Sequence, residues 1–209
     1  MSLWPGLLAW STSYSDGTRP SEFAVMDDKR KEWLKKALEN GLNGKIEDQN
    51  VRLKQALTSL SEARLESEAL YAIDEIDACV DFPDCSENFA RIGGIVIAVK
   101  FLKTSIFSCL RSRFLSVLSL FLANNPSVQL AAFAGGLLAT LLELSAETTD
   151  PELRLRTVGA LGALIRGVPT LESGSLEAGG RGLLNNLAEG SPDDGKIREK
   201  CQSLLEHLE

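Results

Sequence analysis

Side chains that could carry out chemistry are few in this 209-residue chain, and they are scattered. Two of the carboxylates Asp74, Glu75 and Asp77 could act as an acid/base pair, but no nucleophile motif or set of metal ligands accompanies them. The sole histidine, His207, stands near the C-terminus, which leaves little for a Cys-His nucleophile or a mixed Cys/His zinc site. The motifs G-x-x-x-x-G-K-[ST], H-E-x-x-H and G-x-S-x-G are absent. We therefore expect no enzymatic activity, no cofactor and no metal.

The four cysteines, Cys79, Cys85, Cys109 and Cys201, form no C-x-x-C pair. Cys79 and Cys85 could approach each other, but the spacing favours reduced, structural thiols. The net charge of −7 and the pI of about 4.9 argue against nonspecific binding to nucleic acid or to an anionic membrane. The N-terminus lacks the basic start and unbroken apolar run of a signal peptide, and we expect a cytosolic protein.

The elements that must position these residues follow a regular spacing. Pro83, Pro126 and Pro169 lie 43 residues apart, and a glycine pair follows each proline after nine or ten residues. A period in the low forties is typical of HEAT or armadillo repeats. Proline suits the first turn of a helix and ends the helix before it, whereas glycines let two helices meet at a sharp angle. The run from Gly179 to Gly182 could form an anion nest, but its recurrence favours helix packing.

This spacing predicts an all-α, armadillo-like right-handed α-solenoid of about four short repeats. Each repeat contains a long helix that ends near the proline; these helices are predicted at about 67–82, 111–124, 149–168 and 196–208, with Asp150 as an N-cap before Pro151. Residues 1–28 are predicted to be a flexible N-terminal arm, 29–65 N-terminal capping helices, and 66–209 the repeat array. The uncharged stretch from Val128 to Leu142 is too short to span a bilayer and fits a buried helix.

Charge is segregated along the array. Nine acidic residues lie between Glu62 and Glu87, whereas none lies between Glu87 and Glu143, where five arginines and lysines occur. Two interpretations stay open: solvated helix faces with interhelical ion pairs, or a polarised face that orients a protein partner.

Peptide-binding armadillo proteins carry an asparagine and a tryptophan at fixed positions before the end of the groove-lining helix. Here the asparagine position holds Asp77, Leu120 and Ala163, and the tryptophan position holds Ile73, Ser116 and Gly159. Without an asparagine ladder, we do not expect recognition of an extended basic peptide.

Four segments share their order and spacing with one known family. They are the opening Leu7-Leu8-Ala9-Trp10-Ser11 with Ser15-Asp16-Gly17-Thr18; Trp33-Leu34 to Leu60; Asp74 to Phe82 with Asn88 to Gly94; and Asn124 to Gln129 with Ala163 to Arg166. In these segments the chain resembles the cytosolic armadillo-type nucleotide-exchange factors of 70-kDa heat-shock chaperones, the Hsp70-binding protein 1 family. It departs from the family after Asp77, where Ala78-Cys79-Val80-Asp81 replaces Asn-Ala-Asn-Asp, and it resembles a shortened or divergent member.

The resemblance implies a monomeric co-chaperone that binds the nucleotide-binding domain of a 70-kDa heat-shock protein and promotes ADP release. It also implies the partner-binding residues Asp74 and Asp77 on an acidic side, Asn124 and Asn125 as backbone-like contacts, and Arg166, Arg198 and Lys200 on a basic side. The arm, with Leu7, Leu8 and Trp10, would aid client release. The alternative is an armadillo-fold protein-interaction adaptor without exchange activity, and neither alternative involves nucleic acid or a membrane.

Overall fold

The computed structural model describes residues 27–33, 35, 49–104, 106–190 and 195–208. The chain divides into one unit of residues 1–46 and another of residues 47–209. The predicted boundaries of the arm and the capping helices, at 28 and 65, stay predictions. In the first unit, residues 28–33 are helical, and Asp27 caps this helix by accepting a hydrogen bond from the Arg30 amide at 2.6 Å. The arm residues Leu7, Leu8 and Trp10 lie outside the described residues.

The described part of residues 47–209 is helical and contains no β-strand. Its α-helices are α1 Gln49–Glu62, α2 Glu66–Asp77, α3 Pro83–Arg91, α4 Gly94–Thr104, α5 Arg111–Leu122, α6 Pro126–Ala134, α7 Leu137–Glu147, α8 Pro151–Ile165, α9 Pro169–Glu177, α10 Gly180–Gly190 and α11 Gly195–His207. A short 3₁₀ turn, Ser108–Leu110, precedes α5. The predicted all-α class is confirmed.

Three three-helix units follow the pair α1 and α2, and each unit starts at one of the recurring prolines: α3–α5, α6–α8 and α9–α11. The prediction for the start of α8 is confirmed, because the Asp150 carboxylate accepts a hydrogen bond from the Glu152 amide at 3.0 Å and Pro151 occupies the first turn. The predicted helix at 67–82 is shorter in the structure. α2 ends at Asp77 and turns lead to Phe82, whose extended backbone is the conformation that a following proline imposes.

One glycine of each pair forms the junction between the first and second helix of a unit. Gly93, Gly136 and Gly179 have φ of 90°, 82° and 83°, the left-handed region that a side chain disfavours. All three lie ten residues after their proline, so the same left-handed backbone conformation recurs at the same place in each unit. Beside Gly179, a Cβ on Gly180 would lie 2.6 Å from the Ser175 hydroxyl, which supports the helix-packing interpretation of this glycine run.

The helix α2 and the third helices of the three units pack side by side. α2 contacts α5, α5 contacts α8, and α8 contacts α11, so these four helices form one layer of the array. Large buried side chains hold that layer to the first and second helices; the rings of Phe89 and Phe121, both 0% exposed, stack with centroids 4.6 Å apart. Burial of each such ring contributes about 1.5–3 kcal/mol. One face of this layer is therefore packed on the protein core, and the candidate site lies on its solvent-exposed face.

Among the described helices, none alone is long and apolar enough to cross a membrane. α6 and α7 meet that criterion only as a pair, and they are bent by 74° at the glycine junction. Val128, Ala132, Leu137 and Leu141 of this pair are buried in the protein core.

Candidate protein-binding groove

A groove runs along the layer of α2, α5, α8 and α11. It consists of three neighbouring cavities, which we name by their order along the array. The upstream cavity, of about 390 Å³, lies between α5 and α8 and includes Asp77. The middle cavity, of about 790 Å³, lies at the N-terminal ends of α8 and α11, and the downstream cavity, of about 570 Å³, lies between these two helices. Glu152 lines both the upstream and the middle cavity, and Glu199 lines both the middle and the downstream one.

Most of the positions compared with peptide-binding armadillo proteins do line this groove. Ser116 and Leu120 join Asp77 in the upstream cavity, and Gly159 and Ala163 line the downstream cavity. Leu120 is 54% exposed there. Apart from Asp77, the residues at these positions of the groove are small or apolar, so the groove contains no asparagine ladder among the described residues.

The charges of the upstream cavity are paired within the protein. Arg113 Nε on α5 donates to the Asp74 carboxylate on α2 at 2.9 Å, and its guanidinium lies 3.8 Å from Asp77 Oδ2. On α8, Arg156 Nε donates to Glu152 at 2.7 Å. These side chains are about half exposed, so each pair contributes roughly 0.2–1 kcal/mol. Interhelical pairing, one of the two interpretations of the charge segregation, therefore operates between α2 and α5.

The downstream cavity has a different electrostatic character. Lys200 Nζ lies 3.1 Å from the point that a Cβ on Gly159 would occupy, so the ammonium group lies over a glycine of α8. Arg166 donates to the neutral hydroxyl of Ser203 at 2.9 Å. Within the described residues, no carboxylate forms an ion pair with Lys200 or Arg166. Positive charge therefore remains unbalanced at this end of the groove.

The structure brings some of the predicted partner-binding residues together and separates others. Asn124, Arg166 and Lys200 line the downstream cavity, whereas Asp77 lines the upstream one. Arg198 is half-buried on α11 and is not among the residues lining the three cavities.

The two asparagines have structural roles at the α5–α6 connection. Asn125 is the N-cap of α6 and accepts hydrogen bonds from the Val128 amide at 3.4 Å and the Ser127 hydroxyl at 2.9 Å. Asn124 has φ of 56° and ends α5, as Gly167, with φ of 80°, ends α8 one period later. Asparagine tolerates this left-handed conformation better than most residues.

Sequence reasoning missed the residues that support the groove from behind. Gln129 is 1% exposed, and its Nε2 donates to the carbonyls of Ala163 and Arg166 at 2.8 and 2.9 Å, which closes the C-terminal end of α8. One period later, Glu172 accepts a hydrogen bond from the Gly167 amide at 3.1 Å and lies 2.8 Å from His207 Nε2. The signal that could have found them is the recurrence of a polar residue three positions after each proline: Ser86, Gln129 and Glu172.

Cys79, Cys85 and Cys201 are buried free thiols, and Cys109 is an exposed one. Burial raises the pKa of Cys79 and of Cys201 to about 11, and a hydrogen bond to the Glu66 carboxylate raises the pKa of the exposed Cys109. No group of three or more histidine, cysteine or acidic side chains is placed to hold a metal ion in the part of the chain that the structure describes.

Known proteins resemble this chain in sequence and in fold. The family model of the SIL1/FES1/HPBP1 C-terminal domain matches residues 85–208. A Xenopus laevis protein named nucleotide exchange factor SIL1 is 25% identical over 154 residues, which cover 74% of this chain and 33% of that protein. The chain thus spans about a third of the length of this curated relative.

Two solved structures show the same fold. A designed armadillo repeat protein superposes with a TM-score of 0.65 at 18% identity, covering 85% of this chain and 69% of that one. A computationally designed armadillo repeat protein for modular peptide recognition superposes with a TM-score of 0.64 at 19% identity, with the same coverage. These structures confirm the predicted armadillo-like α-solenoid.

Proposed function

Because this chain belongs to the family of the SIL1/FES1/HPBP1 C-terminal domain, we propose that it acts as a nucleotide-exchange factor for a 70-kDa heat-shock chaperone. In this proposal the chain binds the nucleotide-binding domain of the chaperone as a monomer and promotes ADP release. The family predicted from the sequence is confirmed, whereas the partner domain, the monomeric state and the cytosolic location stay predictions.

The observation that carries the proposal is the extent of the family match. Residues 85–208 run through all three units, and so include α5, α8 and α11, three of the four helices that build the groove. The matched region thus contains the middle and downstream cavities in full and most of the upstream one. A groove that extends over four helices fits binding to a protein rather than to a small molecule.

Exchange by binding needs no catalytic group, and we propose no enzymatic step. The protein has only to bind the open, nucleotide-free chaperone better than the closed, ADP-bound one. Each preference of about 1.4 kcal/mol shifts the equilibrium between the two conformations tenfold. A few such increments from contacts along the groove are sufficient to raise the ADP dissociation rate greatly.

The arm is assigned a separate role in the proposal. Deletion of residues 1–24 should leave ADP release intact and slow the release of a labelled client peptide, because exchange is attributed to the array. Loss of ADP release on deletion would show instead that the arm contributes to the exchange surface.

A second candidate is an adaptor that keeps the fold but does not promote exchange. The pairing of Arg113 with Asp74 and Asp77 favours it, because these carboxylates already have a partner within the protein. The departure from the family pattern at Ala78 to Asp81 lies directly after them.

Release of fluorescent ADP from a cytosolic 70-kDa chaperone, followed by stopped flow, tests the proposal. Micromolar concentrations of this protein should accelerate release, and the rate should saturate as the complex forms. An unchanged rate together with measurable binding to the chaperone would support the adaptor. An unchanged rate without binding would refute both the exchange activity and the proposed partner.

A further inference from the structure

We propose that the downstream cavity binds a carboxylate side chain from an acidic segment of the partner protein. This inference rests on the proposed function, since it names the chemistry of the partner surface that enters the groove. Neither the family match nor the fold assigns a ligand to this cavity.

Charge balance distinguishes this cavity from the upstream one. In the upstream cavity, Arg113 and Arg156 each lie against a carboxylate of the same protein. In the downstream cavity, the Arg166 guanidinium bonds only to a neutral hydroxyl among its described partners, and Lys200 forms no ion pair with a described residue. A carboxylate from outside would supply the missing negative charge.

The shape of the cavity suits a side chain that enters from a partner surface. Gly159 and Gly162 leave space along α8, and Leu155, Val158 and Leu204 form an apolar lining beneath the charged groups. The methylene groups of a glutamate side chain would pack on this lining, while its carboxylate would reach the cationic rim. The planar guanidinium of an arginine offers two parallel donors to such a carboxylate.

The net charge of the protein does not attract an acidic ligand. The chain carries a net charge of −7, so its overall field repels an acidic peptide. Binding of such a peptide therefore requires a local cluster of unbalanced cations. Glu199 lines the same cavity and opposes the incoming charge, so removal of its charge should strengthen binding.

The test uses a fluorescein-labelled oligoglutamate peptide, titrated with the full chain at low salt without any chaperone, and read by fluorescence anisotropy. Lys200→Gln and Arg166→Gln should each weaken binding about three- to tenfold, within the range for partly exposed and charge-assisted pairs. Glu199→Gln should tighten binding about two- to threefold by removing a like charge. Lys100→Gln, an equal charge change on the exposed side of α4, should have no effect.

The inference is wrong if oligoglutamate does not bind, if Lys100→Gln weakens binding as much as Lys200→Gln, or if Glu199→Gln does not tighten it. Helicity and the thermal midpoint of each variant, measured by circular dichroism, establish that the variants fold. ADP release separates this inference from the proposed function. Localised peptide binding without exchange refutes exchange alone, whereas exchange without localised peptide binding refutes the acidic-segment site alone.

Discussion

Replacing Gln129 with glutamate should destabilise the array strongly, because this side chain is buried and donates to two carbonyls. Gln129 Nε2 lies 2.8 Å from the Ala163 oxygen and 2.9 Å from the Arg166 oxygen. A carboxylate at this place offers no donor and faces two acceptors. Removal of the two hydrogen bonds costs about 0.5–1.5 kcal/mol each, and an uncompensated buried charge adds about 2–3 kcal/mol. We expect a total loss of about 3–6 kcal/mol.

Urea denaturation monitored by circular dichroism measures this loss. Gln129→Met, which keeps the size but leaves both carbonyls without a donor, should cost about 1–3 kcal/mol and provides the matched control. Burial raises the pKa of the introduced glutamate, so its protonated form, which can donate one hydrogen bond, accumulates as the pH falls. The glutamate variant should therefore recover stability relative to wild type on acidification. A loss below about 1 kcal/mol at neutral pH, or equal losses for both variants at every pH, would refute the reasoning.

Three further predictions concern the thiols and the upstream cavity. The free energy of unfolding should fall between pH 9 and 11, because the thiols ionise near pH 9.0 in the unfolded chain, whereas burial keeps Cys79 and Cys201 neutral in the folded protein until about pH 11. In urea titrations at pH 11, Cys201→Ala should reduce this fall by about 2–3 kcal/mol. An aromatic disulfide reagent should label Cys109 in the native protein and the buried thiols only after denaturation, whereas native labelling of Cys201 would contradict its burial. Asp77→Lys should weaken chaperone binding by more than about 1 kcal/mol in titration calorimetry, and no change would place the interface away from the upstream cavity.

The sequence predicts those features of the fold that depend on local chemistry. Pro126 and Pro169 mark helix starts because proline suits a first turn, and Asp150 caps α8 because a short carboxylate reaches a free amide nearby. The glycine junctions follow from backbone conformation alone. Local reasoning overestimates the length of α2, because the conformational effect of Pro83 and the turn before it end the helix five residues earlier than predicted.

The composition of the candidate site depends on contacts between residues that are far apart in sequence. Arg113 meets Asp74 across 39 positions, and Gln129 meets Ala163 across 34, so neither contact follows from helical periodicity. Arg198 and Lys200 are predicted together on a basic side, but residues two positions apart on a helix do not share a face, and of the two only Lys200 lines the downstream cavity. Sequence gives the helices that face the groove, whereas the packing of successive units decides which charges remain unbalanced.

The paired variants Leu120→Arg and Leu130→Arg provide the most direct test of the central claim, that the groove of the array drives nucleotide exchange. Both leucines are similarly exposed, at 54% and 47%, but Leu120 lines the upstream cavity and Leu130 lies on α6 and lines none of the three. Their effect is measured as the rate of fluorescent ADP release from the 70-kDa chaperone at a fixed concentration of each folded variant. The account predicts that Leu130→Arg accelerates release as wild type does and that Leu120→Arg largely loses this effect. Equal acceleration by both variants, or none by the wild-type protein, would contradict it.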